Sequence, residues 1–183
     1  PRDLAAHGIV NKPRVQLVWF KRDLRVVDHA PLGLASERGP VLPLYIVEPE
    51  LWSQPDMSAR QWAFLREGLL DLRAALADLG QPLLVRRGEA REVLGRLLDT
   101  YPVTGVWSHQ ETGNAWTYRR DRAVAAMLRE RGVPWHQPRQ HGVVRGPVDR
   151  DRWSRQWERL MRAAPFPAPT GLPPIRDIDP GRI

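Results

Sequence analysis

Cysteine is missing from all 183 residues, which excludes a disulfide framework and a thiolate metal site and suits a reducing cytoplasm. Long apolar runs are missing too. The longest are strand-sized, far short of a bilayer span, so no membrane segment is expected. The opening "PRDLAAHGIVNKPR" has no apolar core of the secretory kind, and residues 1–14 read as a flexible lead-in. Lysine is scarce: Lys12 and Lys21 are the two exceptions among 28 Lys and Arg residues, set against 21 Asp and Glu, for a net charge of +7. Such arginine dominance suits either a phosphate-binding surface or a coding bias. Acidic residues interspersed along most of the chain favour the coding bias.

Several catalytic signatures are absent as well. No G-x-G-x-x-G follows the first apolar run and no G-x-x-x-x-G-K-[ST] occurs, which argues against a self-sufficient dinucleotide or P-loop enzyme. His7, His29, His109, His136 and His141 show no H-E-x-x-H spacing, so no metal is assigned. Without a G-x-S-x-G elbow, a hydrolase triad has no anchor.

What is present is an alternation of strand and helix patterns. "VQLVWF" at 15–20 and "VLPLYIV" at 41–47 are short apolar runs suited to strands buried on both faces. "PLLVRR" at 82–87, "VTGVWS" at 103–108 and the weaker "VPWHQ" at 133–137 complete a set of about five. Between them Ser58 is a candidate N-cap for a long helix that carries Trp62, Leu65, Leu69, Leu72, Leu76 and Leu79 on one stripe and stops at Gly80. Further helices fit 30–38, 89–99, 116–131, with Gly132 as a stop, and 151–164. This alternation predicts an α/β fold, a Rossmann-like three-layer sandwich on a parallel, about five-stranded sheet. The length fits one such domain over 15–164, burying roughly 70% of the unfolded surface. The Pro/Gly-rich residues 165–183 read as an interdomain linker or tail.

Ligands of parallel sheets bind outside the carboxyl ends of the strands, which directs attention to the loops after Phe20, Val47 and Ser108. Lys21, Arg22, Asp23, Arg25 and Asp28 follow the first strand with alternating sign. They fit a solvated turn in which Asp23 and Asp28 cap the next helix. They fit equally a ligand loop in which Asp23 holds Arg22 toward a pocket. "SHQETGNAWTY" at 108–118 gathers polar and aromatic groups; Thr112 or Asn114 can cap the helix near Trp116, or the stretch can recognise a ligand. Trp153 and Trp157, at i and i+4, fit a docking face.

"WFKRDLRVVDHAPL" resembles the opening motif of the DNA photolyase and cryptochrome family, W-F-R-R-D-L-R-x-x-D-N/H-x-x-L. The likeness continues in "VLPLYIVEPELW", in "MSARQWAFLREGLLDLRAALADLGQPLLVRRGE" and in "ETGNAWTYRRDRAV", covering roughly residues 15–162. The resemblance implies the family's N-terminal α/β domain, which holds an optional light-harvesting antenna pigment. It also implies a partner absent from this chain, the helical FAD-binding domain that accepts damaged DNA, so that catalytic residues are not expected here. The intact protein would be a deoxyribodipyrimidine photo-lyase or a cryptochrome, acting in DNA repair or light sensing. The other reading is a stand-alone Rossmann-like binding module for a nucleotide or a protein partner. If the face toward the helical domain is bare, the chain can self-associate through it.

The resemblance also locates pigment residues. Arg22 and Arg60 fall where deazaflavin-binding relatives use arginines, while the acidic partners fall at Thr112 and Asn114, with Glu111 nearby. The histidine of folate-binding relatives falls at Pro55, and their adjacent asparagine and glutamate at Trp116 and Thr117. The expected site is therefore Phe20, Lys21, Arg22, Asp23, Val47, Arg60, Glu111 and Asn114, for deazaflavin or FMN ahead of folate, or for no pigment.

Overall fold

The computed structural model describes residues 13–143 and 149–183. The expected lead-in, apart from Pro13 and Arg14, lies outside them. Five strands form one parallel sheet: β1 (Val15–Phe20), β2 (Val41–Val47), β3 (Leu84–Arg87), β4 (Val103–Trp107) and β5 (Trp135–His136), in the order β3-β2-β1-β4-β5. The helices are α1 (Ala30–Ser36), α2 (Pro49–Trp52), α3 (Ala59–Asp78), α4 (Ala90–Thr100), α5 (Ala115–Glu130) and α6 (Arg150–Met161). The α/β class and the strand count agree with the sequence pattern. The single turn α2 was not anticipated, because four residues carry no readable periodicity.

Every residue of β1 is buried, Gln16 included, as a mostly apolar run requires of a central strand. Alternation then divides the core in two. Leu17 and Trp19 pack on one face with Leu94 of α4 and Val124 and Leu128 of α5. Val18 and Phe20 pack on the other with Leu32 of α1 and Leu69, Leu72 and Leu76 of α3. The helices thus form the outer layers of a three-layer sandwich. Ser58 caps α3, its hydroxyl accepting from the Gln61 amide at 3.3 Å. Gly80 ends that helix at φ +106, where a Cβ would also lie 2.6 Å from the Leu172 carbonyl oxygen.

Residues 165–183, read as an interdomain linker or tail, run back over the core. Leu172 and Ile175 are buried, one in each half of the core. The Ile175 amide donates to Gln81 Oε1 at 2.6 Å, and the Val85 amide of β3 donates to the Pro180 carbonyl at 2.8 Å. Proline-rich chain forms no regular element, but it stays extended and its two aliphatic side chains can still be buried. Low regular-structure propensity had concealed a packed strap.

Candidate functional site

The chain passes from β1 to β2 on one side and from β3 to β4 on the other, so the loops leaving β1 and β4 diverge and open a crevice at the carboxyl end of the sheet. A cavity of about 190 Å³ lies beside it. Trp19, Phe20, Tyr45, Trp52 and Leu65 supply its apolar walls, and Phe64 stands at its rim, 79% exposed. Lys21, Arg22, Glu48, Glu111 and Arg120 supply the polar side. A second, polar cleft of about 400 Å³ shares Lys21, Arg22 and Glu111 with the first, and adds Asp23, Arg25, His109 and His141.

The polar side is one ionic network. Arg120, carried on α5, bonds Glu48 Oε2 at 2.6 Å, Asp121 Oδ1 at 2.9 Å and, in a short contact, Glu111. Lys21 Nζ lies 3.4 Å from Asp121 and 3.6 Å from Glu111, and Arg22 Nε lies 3.2 Å from the other Glu111 oxygen. All are buried except Arg22, whose side chain is 55% exposed. Burial works against the charge on Arg120, but the carboxylates of Glu48, Glu111 and Asp121 outweigh it and raise its pKa. Burial lowers the pKa of Lys21. Both cations also lie over Trp19, with Lys21 Nζ 4.7 Å and Arg120 Cζ 4.9 Å from the ring centre.

Glu48 is the exception in this network. Burial pushes its carboxyl up to about 7, against the pull of Arg120. Its Oε1 is buried and has no hydrogen-bond partner, and the same holds for the indole Nε1 of Trp52. Buried polar atoms are nearly always paired. The unpaired acceptor and the unpaired donor thus belong to two residues that line the same cavity.

Asp23 does not hold Arg22 and does not cap α1. Arg22 turns to Glu111, while Asp23 Oδ2 is shared by His29 Nε2 at 2.9 Å and His109 Nδ1 at 2.5 Å, with Oδ1 accepting from the Lys21 amide. Although burial opposes ionisation, these hydrogen bonds hold Asp23 well below the usual carboxylate range. The cap of α1 is His29, whose Nδ1 accepts the Leu32 amide at 3.1 Å. These three residues lie close enough together to be candidate metal ligands. However, because His29 Nδ1 is an acceptor, the ring proton sits on Nε2, facing Asp23, and that nitrogen has no lone pair to give. The donor set argues against a metal.

Of the expected site residues, Phe20, Lys21, Arg22 and Glu111 line the cavity. Asp23 lies in the adjoining cleft, and Val47 lines a separate cavity shared with Trp62 and Val85. Arg60 is exposed at the start of α3, away from the cavity wall. Asn114 also lies off the wall: it caps α5 by accepting the Thr117 amide at 3.0 Å, and its Nδ2 donates to Asp56 at 3.0 Å. Replacing Asn114 with alanine should cost about 1 kcal/mol. A thermal melt should show a fall of about 2–4 °C. An unchanged midpoint would remove the cap from the account. Sequence reasoning missed Tyr45, Glu48, Trp52, Arg120 and Asp121. Glu48 had a signal, since it directly follows a strand whose carboxyl end was already suspect. Arg120 had none, one arginine among several on α5.

Comparison with known proteins agrees with the architecture. The DNA photolyase family model matches residues 16–167. Cryptochrome DASH of Gloeobacter violaceus is 33% identical over 185 aligned positions, which cover 91% of this chain and 37% of that protein. A deoxyribodipyrimidine photo-lyase of Vibrio cholerae is 31% identical over 126 positions, 66% of this chain and 27% of that one. Among solved structures, a bacterial class III photolyase from Agrobacterium tumefaciens superposes with a TM-score of 0.73 at 22% identity, over 96% of this chain and 38% of its own. The chain therefore spans well under half the length of these relatives.

Proposed function

This chain belongs to the DNA photolyase family, and on that premise we propose that it serves as the antenna and scaffold domain of a light-driven flavoprotein, with the cavity beside β1 as the pigment site. The observation that carries this reading is the pair of unpaired buried atoms, Glu48 Oε1 and Trp52 Nε1, on a cavity walled by aromatic rings. A flat heteroaromatic ring fits such walls, and Arg22, half-exposed at the polar side, can bond a carbonyl or anionic edge. A bound pigment would supply absorption of light and transfer of the excitation to FAD. The residues of this chain would hold its ring, keep water from it and fix its orientation.

The FAD-binding helical domain is the proposed partner, and damaged DNA is met through that domain. The face offered to it includes α6, where Trp153 and Trp157 are 39% and 42% exposed and Met161 is 54% exposed. The isolated chain would self-associate through the same face. It should be catalytically silent, and it is proposed to work in the cytoplasm. Among the described residues no helix is long and apolar enough to cross a membrane.

Deazaflavin or FMN suits the cavity better than folate, because Arg22 lies on its wall and Pro55 stands where folate-binding relatives carry histidine. Fluorescence titration of the chain with deazaflavin, FMN and methenylfolate tests the site. Arg22→Ala should weaken binding of the ring pigments about tenfold, and Arg60→Ala should leave it unchanged. Equal affinity in wild type and Arg22→Ala, or preferential binding of folate, would refute the assignment.

A further inference from the structure

Glu48 and Trp52 bracket α2, and the Trp52 amide donates to the Glu48 carbonyl at 3.2 Å. Pro49 at the first position fixes where that helix begins. The two residues with unpaired buried side-chain atoms sit at the two ends of this four-residue helix, Glu48 as its N-cap and Trp52 as its last residue, and both line the same cavity. Glu48 is anchored through its other oxygen by Arg120. Its terminal torsion is soft, so a small turn presents Oε1 to the cavity while that anchor remains. Oε1 of an ionised Glu48 accepts, and an indole N–H donates. The chemical complement of this pair is an N–H beside a carbonyl.

We propose that Glu48 and Trp52 select the ring ligand by a –CO–NH– edge, Glu48 accepting from the ring N–H and Trp52 donating to the neighbouring carbonyl. This rests on the cavity being a ring site and adds what the ring must carry. Imide-bearing flavins and deazaflavins qualify; rings whose edge nitrogen is alkylated do not. Recognition of this kind discriminates strongly, because an analogue without the N–H leaves a buried carboxylate unpaired.

The charged and titratable groups around Glu48 are Arg120 and Asp121 from α5, Glu111 before it, Lys21 and Arg22 after β1, and Tyr45 from β2. Burial raises the Tyr45 pKa, so it stays neutral, and the pKa of Arg120 is raised, so it stays charged. Glu48, pushed up to about 7, changes charge near neutrality. An N–H edge binds its ionised form, so affinity should fall as pH drops through 7.

The test uses lumiflavin and 3-methyllumiflavin, which differ by one methyl on the imide nitrogen and have no phosphate to titrate. Wild-type chain should bind lumiflavin at least tenfold more tightly than its methylated analogue at pH 8. The lumiflavin dissociation constant should rise about tenfold between pH 8 and pH 6, as expected for one proton competing at a pKa of about 7. Glu48→Gln can keep its oxygen on Arg120, and it turns an amide N–H toward the cavity. It should bring the two ligands within about threefold of each other and flatten the pH dependence. Trp52→Phe should weaken lumiflavin several-fold with the pH dependence intact. Equal wild-type affinity for the two ligands would overturn edge selection while leaving the ring site standing. An unchanged Trp52→Phe would overturn the donor half. Failure of both ligands to bind would refute the ring site and the selection together.

Discussion

Arg120→Met should destabilise the chain by about 3–5 kcal/mol at pH 7.5, the range for removing one partner from a buried ionic cluster. Methionine fills much of the same volume, so the loss is electrostatic rather than a cavity effect. Arg120 touches Glu48, Glu111 and Asp121, all of them buried, and buried Lys21 with half-exposed Arg22 cannot compensate three carboxylates. The pH dependence identifies the cause. Glu48 already has a folded pKa of about 7, above its ordinary value of 4.5, so the folded state binds the extra proton and Glu48 costs stability progressively as pH rises from about 4.5 through 7. Without Arg120 its pKa rises further. The penalty should therefore be largest above pH 7 and narrow as the solution is acidified toward pH 5.5. Urea unfolding at the two pH values measures both effects, and a loss below 1 kcal/mol, or one independent of pH, would show that the network does not depend on Arg120.

Asp23→Ala should cost about 3 kcal/mol at pH 7, because it leaves His29 and His109 without their shared acceptor inside the core and frees the Lys21 amide as well. Here the sign is the reverse of Glu48. Asp23 has a depressed folded pKa, so its stabilisation is fully present above its unfolded value of about 3.9 and is lost as pH falls through the lower folded value. The difference between wild type and Asp23→Ala should thus persist down to about pH 4 and shrink only in stronger acid. Thermal unfolding followed from pH 3 to pH 7 is the measurement. A gap that closes already near pH 6 would mean that histidine protonation governs the cluster instead.

The strands and long helices were legible because each is a local pattern: a short run in β1 that is apolar apart from Gln16, a leucine stripe with a serine before it and a glycine after it in α3. The site was legible only where it lies next to a strand end. Phe20, Lys21, Arg22 and Glu111, expected from the loops after β1 and β4, line the candidate cavity. What could not be read was pairing. Asp23 meets His109 across 86 positions and Arg120 meets Glu48 across 72, and no spacing rule joins charges so far apart. Adjacent Arg22 and Asp23 looked like a pair because they are neighbours in sequence, yet they serve different clusters. The packing of the tail was hidden for a related reason: proline density reports the lack of regular structure and says nothing of whether two aliphatic side chains find a home.

A parallel sheet of mostly apolar strands has two open margins, and each is a template on which a second chain could grow a ladder and start an aggregate. This fold limits both margins by different means. At the β5 margin the strand is two residues long, Trp135–His136, too short to recruit a partner. At the β3 margin the returning strap occupies the Val85 N–H through Pro180. Arg73 and Arg86 clamp it by donating to the Pro180 and Asp179 carbonyls at 3.1 and 2.8 Å. Proline itself has no N–H to offer an incoming strand. The proline-dense tail thus covers the β3 edge, which leaves that margin less open to an incoming strand.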